Sequence, residues 1–568
     1  MTTTRQLDFD ACYLAVSARD SRFDGRFYTA VTTTGIYCRP ICPARTPGRG
    51  NVRFYRHAAA AEAAGFRPCR RCRPELSPGD PGWDVRADLV GRALRLIDDG
   101  VADDSGVAGL ARRLHVTERH LHRLFAAELG AGPLAVARTR RLLLAKQLLT
   151  ETTLPITDVA FAAGFGSVRQ FNAAMKESYG FAPGELRKGN GPVGGGGICS
   201  PASGLTLRLG HRQPYDAQSV LRFLAARAIP GVEAVRWSGT DVAAYTRAVP
   251  GGSITLRPAA DHVRLTVRTT EAHRLSPLVA RCRRLLDLDA DPGAVREILG
   301  RTSLAPLVEA RPGLRVPGAY DGFEAAVRAV VGQQISVAGA RTLLGRIATR
   351  AGTPAVRDPN SAGSGGNPAG PEQNPSPATR TTTGADRDSA AGEQDLPTAT
   401  RTSTGADRNS SDEEQDLRTA NREPTLEAVN EIPLLFPTAD RLAEADLDGL
   451  GLTTRRTATI RALAEGVASG EIDLDGAGDP ADTTARLLAV PGIGPWTASY
   501  IALRALRDPD AWPEGDLVLR RTMDRLGITA GETEGWRPWR AYAAVHLWSH
   551  AAQPQPTIRT HQMDVTNR

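Results

Sequence analysis

Cysteine is scarce in this sequence, 7 in 568 residues, yet four of the 7 stand in two tight pairs, Cys38/Cys42 and Cys69/Cys72. No apolar run reaches the roughly 18 residues that a membrane-crossing helix needs. Met1 is followed by polar residues, with no hydrophobic stretch of a secretory leader. These absences predict a soluble, unsecreted, cytoplasmic protein with no membrane partner. In that reducing setting, paired cysteines more often hold metal than form disulfides. A third absence is local: residues 355–430 contain no Phe, Trp or Tyr. They are rich in Ser, Thr, Asp, Glu, Gly and Pro, and "TGADR…EQDL" starts at Thr383 and again 21 residues later at Thr404. Such a segment buries too little apolar surface to offset its ordering entropy, so a disordered low-complexity insertion is expected there.

What is there supports real cores: 41% of residues are hydrophobic. The length suggests three or four domains of about 100–200 residues each. The net charge of +7 is unevenly spread: residues 1–190 carry 28 Lys and Arg against 19 Asp and Glu, the remainder 42 against 44. A basic front end suits a polyanion partner, although ordinary solubility charge would look the same. The insertion holds 7 Arg against 13 acidic residues, so the rest of the carboxy-terminal part is basic as well.

Residues 5–78 hold the cysteine pairs and short strand-like runs ("RFYTAVTT", "NVRFY"), and residues 85–188 read as successive helices with apolar positions at 3–4 spacing. "GNGPVGGGG" opens a Gly-rich linker over 189–202. Residues 203–315 mix strands ("LTLRLG", "SITLRP", "HVRLTVRT") with helices, and 316–354 and 431–552 are helical again, parted by the insertion. The predicted class is multidomain α+β. It comprises a small zinc-binding α/β domain, an all-α tandem helix-turn-helix domain, an α+β domain and an all-α domain that carries the insertion.

The cysteine spacing is C-x3-C, a 26-residue gap, then C-x2-C. Four thiolates close a tetrahedral zinc site, and a closed structural site is the commoner outcome of such spacing. Arg39, Arg45, Arg67, Arg70, Arg71 and Arg73 surround it and would hold a phosphate backbone beside nucleophilic thiolates. The stretch "DGRFYTAVTTTGIYCRPICPARTP…NVRFY…AAGFRPCRRCRPE" resembles the amino-terminal domain of Ada, the bacterial methylation-response family, over about Asp24 to Glu75. The resemblance implies that Cys38 takes a methyl group from a DNA methyl-phosphotriester. Cys38, Cys42, Cys69 and Cys72 would bind one tetrahedral Zn²⁺. Methylation turns a net −2 centre into −1, so DNA should bind more tightly. Cys12, Cys199 and Cys282 read as ordinary core or linker thiols.

"VAGLARRLHVTERHLHRLFAAELG" and "ITDVAFAAGFGSVRQFNAAMKESYG" each read as helix, turn, helix, with second helices opening at Thr117 and Ser167, both good N-caps. A plain helical bundle would explain either alone. Two in tandem, ending in "YGFAPGELR", resemble the DNA-binding domain of AraC-type regulators over residues 87–188. Second helices of this kind enter the major groove. Expected DNA contacts are Arg119, His120, Arg123, Arg169, Gln170 and Asn172.

"LLAVPGIGPWTASYIALR" (487–504) reads as a helix, a tight hairpin and a helix, in which Gly492 and Gly494 let backbone N–H groups face a phosphate. Asp516 follows Gly494 by 22 residues. By itself such an Asp is usually an N-cap. Together with "RQPYDAQSVLRFLAARAIPGVE", "ARPGLRVPGAYDGFEAAVRAVVGQQISV" and "RPWRAYAAVHLW", it resembles AlkA-type alkyl-purine DNA glycosylases over about 203–550. The resemblance implies base flipping into an aromatic pocket of Phe223, Trp496, Tyr500 and Trp539. It implies that Asp516 stabilises the sugar cation and assists water. Gly492, Ile493, Gly494, Thr497 and Gln334 are then expected DNA contacts, beside Arg45 and Arg67 of the zinc domain. A monovalent cation at the hairpin is a further expectation. Gln334 stands where AlkA has a leucine wedge, and Leu517 where it has a tyrosine. No lysine follows the hairpin, which predicts hydrolysis without strand cleavage. No cysteine sits in a P-C-H-R-like motif, so no O6-alkylguanine repair is expected.

The expected whole is a bifunctional alkylation-damage protein: zinc-thiolate methyl acceptor, promoter-binding regulator and monofunctional glycosylase of the 3-methyladenine type. Its expected partners are alkylated and operator double-stranded DNA and RNA polymerase, and its expected place is the nucleoid. The alternative is a damage-sensing regulator whose glycosylase half is inactive.

Overall fold

The first sheet is small and mixed. After α1 (Phe9–Ala18) come β1 (Tyr28–Val31), β2 (Ile36–Cys38), β3 (Val52–Tyr55), α2 (Ala58–Ala63) and β4 (Arg67–Pro68). The strand order is β3-β1-β2-β4, with only β2 and β4 parallel. This computed structural model describes residues 7–80, 89–189, 204–271, 275–356 and 432–552. Residues 190–202 of the expected linker, the expected insertion from 357 onward, and Cys199 lie outside the described residues.

Helices follow: α3 (Leu89–Asp98), α4 (Val101–Asp104), α5 (Gly106–Arg113), α6 (Glu118–Leu129), α7 (Pro133–Glu151), α8 (Ile156–Ala162), α9 (Val168–Tyr179) and α10 (Pro183–Gly189). Their boundaries have local causes. Thr117 Oγ1 accepts from His120 N at 3.2 Å and Ser167 Oγ from Gln170 N at 3.2 Å, so both caps satisfy N–H groups that the first turn leaves open. Gly130 and Gly180 end α6 and α9 in the left-handed region (φ 74° and 77°).

The next layer is a five-stranded antiparallel sheet, order β5-β9-β8-β7-β6, from β5 (Leu205–Gly210), β6 (Glu233–Ser238), β7 (Asp241–Val249), β8 (Gly252–Pro258) and β9 (His262–Thr269). Against it pack α11 (Ala217–Ala226) and α12 (Leu275–Leu285), whereas α13 (Pro292–Leu299) and α14 (Ala305–Ala310) join the core of the last part. The last part is helical: α15 (Gly322–Val331), α16 (Val337–Ala351), α17 (Ala439–Glu444), α18 (Thr454–Ala468), α19 (Pro480–Ala489), α20 (Pro495–Ile501), α21 (Leu517–Leu526) and α22 (Arg540–Ala551). A short pair, β10 (Thr353–Pro354) with β11 (Leu434–Leu435), closes it. Among the described residues no helix is long and apolar enough to cross a membrane.

Apolar packing does not respect the expected seams. One core runs from Leu142 and Phe171 of the helical part into Leu207, Tyr245 and Leu265 of the five-stranded sheet. Another joins Leu110 and Phe125 to Ala59 and Ala60 of α2 and to Ala477. Polar ties add to this. Arg212, 4% exposed, donates to the carbonyls of Asp24 (2.6 Å), Gly79 (2.6 Å) and Asp289 (2.6 Å). Lys146, 1% exposed, reaches from α7 to Glu75 (2.6 Å) and to the Cys69 carbonyl (2.9 Å).

Candidate zinc centre and base-excision site

The parallel pairing of β2 with β4 carries Cys38 and Cys69 to neighbouring strand ends, where Cys69 N donates to Tyr37 O at 2.9 Å. A turn closed by Cys42 N to Arg39 O (3.1 Å) returns Cys42 to Cys38. All four Sγ atoms of Cys38, Cys42, Cys69 and Cys72 lie within 4.8 Å of one another. Tetrahedral Zn²⁺ with Zn–S near ~2.3 Å needs sulfurs about 3.8 Å apart, so the set fits. Four thiols this close repel one another when ionised, which a cation among them would relieve. Cys38 is pushed well above the ordinary thiol range, first by its hydrogen bond with Cys42, then by those with Cys69 and Cys72 and by burial. Cys42 is lowered to about 7, first by its hydrogen bond with Cys38. One thiol thus keeps its proton at another's expense, and a dication would let all four ionise. Two backbone donors, Arg39 N to Cys72 Sγ and Arg71 N to Cys69 Sγ (both 3.3 Å), stabilise the anionic sulfurs. Cys69 and Cys72 are buried, whereas Cys38 and Cys42 are partly exposed. One zinc is held by these four cysteines.

The surrounding arginines divide. Arg45 and Arg71 are exposed. Arg39 is not available to a phosphate: its Nε donates to Asp24 at 2.9 Å and its Nη1 to Cys72 O at 3.1 Å. Arg73 is paired with Glu75 (3.0 Å) and Glu151 (2.7 Å). Arg67 is exposed but reaches the Tyr179 carbonyl at 3.4 Å, and Arg70 lies 4.3 Å over the Phe181 ring. Arg39 and Arg73 turn inward to their carboxylates, whereas Arg67 and Arg70 stay exposed beside the helical part. Cys12 and Cys282 are buried thiols, raised by burial to about 11 and about 12. On the second helices, Arg119, Arg123, Arg169, Gln170 and Asn172 are exposed. His120 lies 3.0 Å from Arg123, and Gln170 Oε1 accepts from Gly166 N at 3.2 Å.

In the hairpin between α19 and α20, Gly492 has φ +94°, and a Cβ there would stand 2.1 Å from Thr459 Oγ1. Gly494 caps α20 with open space beside it. Ile493 and Thr497 depart from expectation. Ile493 is 5% exposed and its N–H is spent on Val490 O (3.0 Å). Thr497 is 4% exposed and accepts from Gln333 Nε2 (3.0 Å), which also donates to Gly492 O (3.1 Å). The gap residue Gln334 is exposed with φ +57°, lifted outward by the same loop.

Asp516 caps α21, its Oδ1 accepting from Leu519 N at 2.8 Å. Two indoles pin the same carboxylate: Trp496 Nε1 donates to Oδ2 at 2.8 Å and Trp548 Nε1 to Oδ1 at 3.3 Å. The carboxylate opens on a cavity of about 790 Å³ lined by Phe223, Tyr500, Trp496 and Trp548. Trp496 and Tyr500 stack (5.2 Å, 7°), and Trp548 meets Tyr500 edge-on (6.3 Å). Trp539 is absent from this wall. It is 7% exposed and packs on Tyr542 (5.4 Å) in the core. Trp548 was the tryptophan of "RPWRAYAAVHLW" to choose: Val545 and Trp548, one turn apart on α22, both face the cavity.

Three family models match: the metal binding domain of Ada over residues 11–75, a helix-turn-helix domain over 110–189, and the AlkA N-terminal domain over 206–321. A Mycobacterium tuberculosis protein described as a probable bifunctional transcriptional activator/DNA repair enzyme AlkA is 40% identical over 558 residues, covering 96% of this chain and 97% of that one. The chain belongs to this bifunctional AlkA family. Escherichia coli DNA-3-methyladenine glycosylase 2 is 29% identical over 357 residues, 60% of this chain and 95% of that protein. The Escherichia coli bifunctional transcriptional activator/DNA repair enzyme Ada is 36% identical over 180 residues, 32% of this chain and 49% of that protein. The three family models fall in order along the chain: a metal-binding and helix-turn-helix front, then an AlkA-type part. The zinc centre and the aromatic cavity are therefore two separate sites of one chain.

Proposed function

We propose that the second half hydrolyses the N-glycosidic bond of alkylated purines in double-stranded DNA, and that Asp516 carries the reaction. The supporting observation is a carboxylate held by two indole N–H groups at the mouth of an aromatic cavity. A purine alkylated on a ring nitrogen is cationic and binds electron-rich rings. Water adds its oxygen to C1′. The C1′–N bond breaks, and its electron pair leaves with the base. Asp516 stabilises the positive sugar and takes the water's proton on its way to solvent. The indole donors keep the carboxylate aimed without neutralising it. Schiff-base chemistry on a lysine has no candidate, because no lysine follows Lys188 in the chain. The reaction is therefore monofunctional.

The front half is proposed as the sensor. Cys38, Cys42, Cys69 and Cys72 would hold the zinc, which would keep their sulfurs ionised. Cys38 Sγ, one of the two partly exposed sulfurs, attacks the methyl carbon of a phosphotriester. The S–C bond forms as the C–O bond breaks, and the electron pair stays on the phosphate oxygen. Arg119, Arg123, Arg169 and Gln170 would read operator DNA, with Arg45 and Gly494 on phosphates and Gln334 in the duplex gap. RNA polymerase is the proposed partner of the regulator, and a monovalent cation the proposed companion of the hairpin. The domain limits follow the same division: 5–78, 85–188, 203–315, and 316–354 with 431–552.

The test is release of 3-methyladenine and 7-methylguanine from alkylated duplex DNA. Wild type should release both, and Asp516→Asn should lose at least a hundredfold in rate. Equal, background release by the two proteins would leave a damage-sensing regulator with a silent glycosylase half.

A further inference from the structure

The aromatic cavity is walled by residues of two different cores. Phe223 of α11 packs against the core of the five-stranded sheet, whereas Tyr500 and Trp548 pack against the core of the last helical part. Apolar packing within either core therefore does not fix the spacing of the two walls. A polar side chain spans them. Arg311, which directly follows α14, lines the cavity together with Ser219, Phe223, Trp548 and Ser549. Its Nη1 donates to Ser549 Oγ in the last turn of α22. Its Nη2 donates to Asp216 Oδ2 at 2.6 Å, and to Ser219 Oγ, at the start of α11. Among the described residues Arg311 is the one side chain hydrogen-bonded to both helices.

The backbone around Arg311 is held on the same two sides. Val308, 1% exposed, roots α14 in the helical core. Two residues after Arg311, Gly313 O accepts from Asp216 N at 2.8 Å. A Cβ on Gly313 would stand 2.8 Å from that nitrogen, so the approach needs a glycine. Burial would raise the Asp216 carboxyl, but hydrogen bonds from Ser219 and Arg311 hold it below its ordinary value, and the anchor stays ionised. The Arg311 and Asp216 side chains are 26% and 29% exposed, so solvent screens the pair and its share of global stability is small. The larger consequence is geometric. Ser549 is the residue after Trp548, whose indole donates to Asp516 Oδ1 at 3.3 Å. The other two bonds to that carboxylate are 2.8 Å each, so this one is the most sensitive to a shift of α22.

Building on the glycosylase reading, we propose that Arg311 is a positioning residue of the excision site: it ties the last turn of α22 to the start of α11 and so keeps the Trp548 indole on Asp516. Arg311 moves no proton, and its role needs no contact with the base. Without its two-ended fork α22 keeps its buried face, but its last turn loses its side-chain tie to α11. A shift of about half an ångström then takes the Trp548 bond beyond hydrogen-bond range, and the carboxylate loses a donor that aims it. The effect falls on the rate of bond breaking rather than on DNA affinity, because none of the partners of Arg311 is among the residues proposed to meet the duplex.

The experiment follows release of 7-methylguanine from alkylated duplex DNA, in single turnovers across enzyme concentration. Arg311→Met keeps much of the side chain's length and removes the fork. It should lower the maximal rate about tenfold, the scale of the Trp548 donor through which it acts, and leave the half-saturating concentration within about twofold. The deciding variant is the double. With Trp548→Phe in place there is no donor left to aim, so adding Arg311→Met should cost less than about twofold more. Ser549→Ala removes one hydroxyl and breaks only the α22 end of the fork, which keeps the test open should methionine disturb folding. It should lower the rate about threefold alone and leave it unchanged in the Trp548→Phe background. Arg311→Lys supplies the charge without the fork and should stay below about half the wild-type rate. Losses that multiply in the double variants, or a full wild-type rate in Arg311→Met or Arg311→Lys, would overturn the assignment. In each of those cases wild type still releases the base, so the glycosylase reading stands. Wild type that releases no base removes that reading and this inference together.

Discussion

At the scale of single residues, the site is defined by who donates to Asp516. The carboxylate would be an ordinary N-cap if Leu519 N were its only partner; the two indoles make it a positioned group. Trp548→Phe keeps a ring against Tyr500 and removes one donor. Its bond is the longer of the two, so the expected loss in glycosylase rate is about tenfold, the low end for a hydrogen bond to a charged group. Single-turnover base release checks it, and a rate within twofold of wild type would show that Trp548 only fills space. Trp539 makes the complementary point: motif proximity selected it, but it packs on Tyr542 inside the core.

At the scale of elements, the hairpin and the wedge loop form one device. Gln333 bonds Gly492 O and Thr497 Oγ1, and Thr459 Oγ1 donates to Pro491 O at 2.8 Å. Gly492→Ala should cost about 1–3 kcal/mol, because φ +94° disfavours a Cβ and that Cβ would meet Thr459. Affinity for undamaged duplex DNA should fall with it, read by fluorescence anisotropy. Adding Thr459→Ala should recover part of the loss, since it removes the clash and leaves the backbone strain. Full retention of DNA affinity in the single variant would show that the hairpin does not meet the phosphate. The paired N-caps, Thr117 and Ser167, were legible because capping needs one residue type at one place. The inward turn of Ile493 was not, because the motif marks the turn and not the side of it that packs.

At the scale of the whole molecule, the zinc centre is wired into its neighbours. Lys146 on α7 and Glu75 beside the zinc cysteines are a buried pair, with side chains 2% and 1% exposed. Arg73 extends the pair to Glu151, whose carboxylate accepts from Arg208 N of β5 at 3.0 Å. Lys146→Met strands Glu75 beside Arg73 alone and should cost about 3–5 kcal/mol, the usual penalty for one lost partner of a buried pair. Thermal unfolding of the zinc-loaded protein should then shift down as a whole. A separate, early transition confined to zinc release would mean that the junction is not cooperative.

By itself the sequence determined the chemistry-bearing positions whose demands are local. These are four cysteines at metal spacing, two cap-turn-helix units, a glycine hairpin and an aspartate placed after it. Each depends on residue type and short spacing, which a chain displays directly. Tertiary structure alone decided what lies between distant segments: Trp548 rather than Trp539 at the carboxylate, Arg39 and Arg73 turned inward, and one core shared by Phe171 and Tyr245. These are properties of pairs brought together from far apart, and the packing of helices on the five-stranded sheet is what selects them.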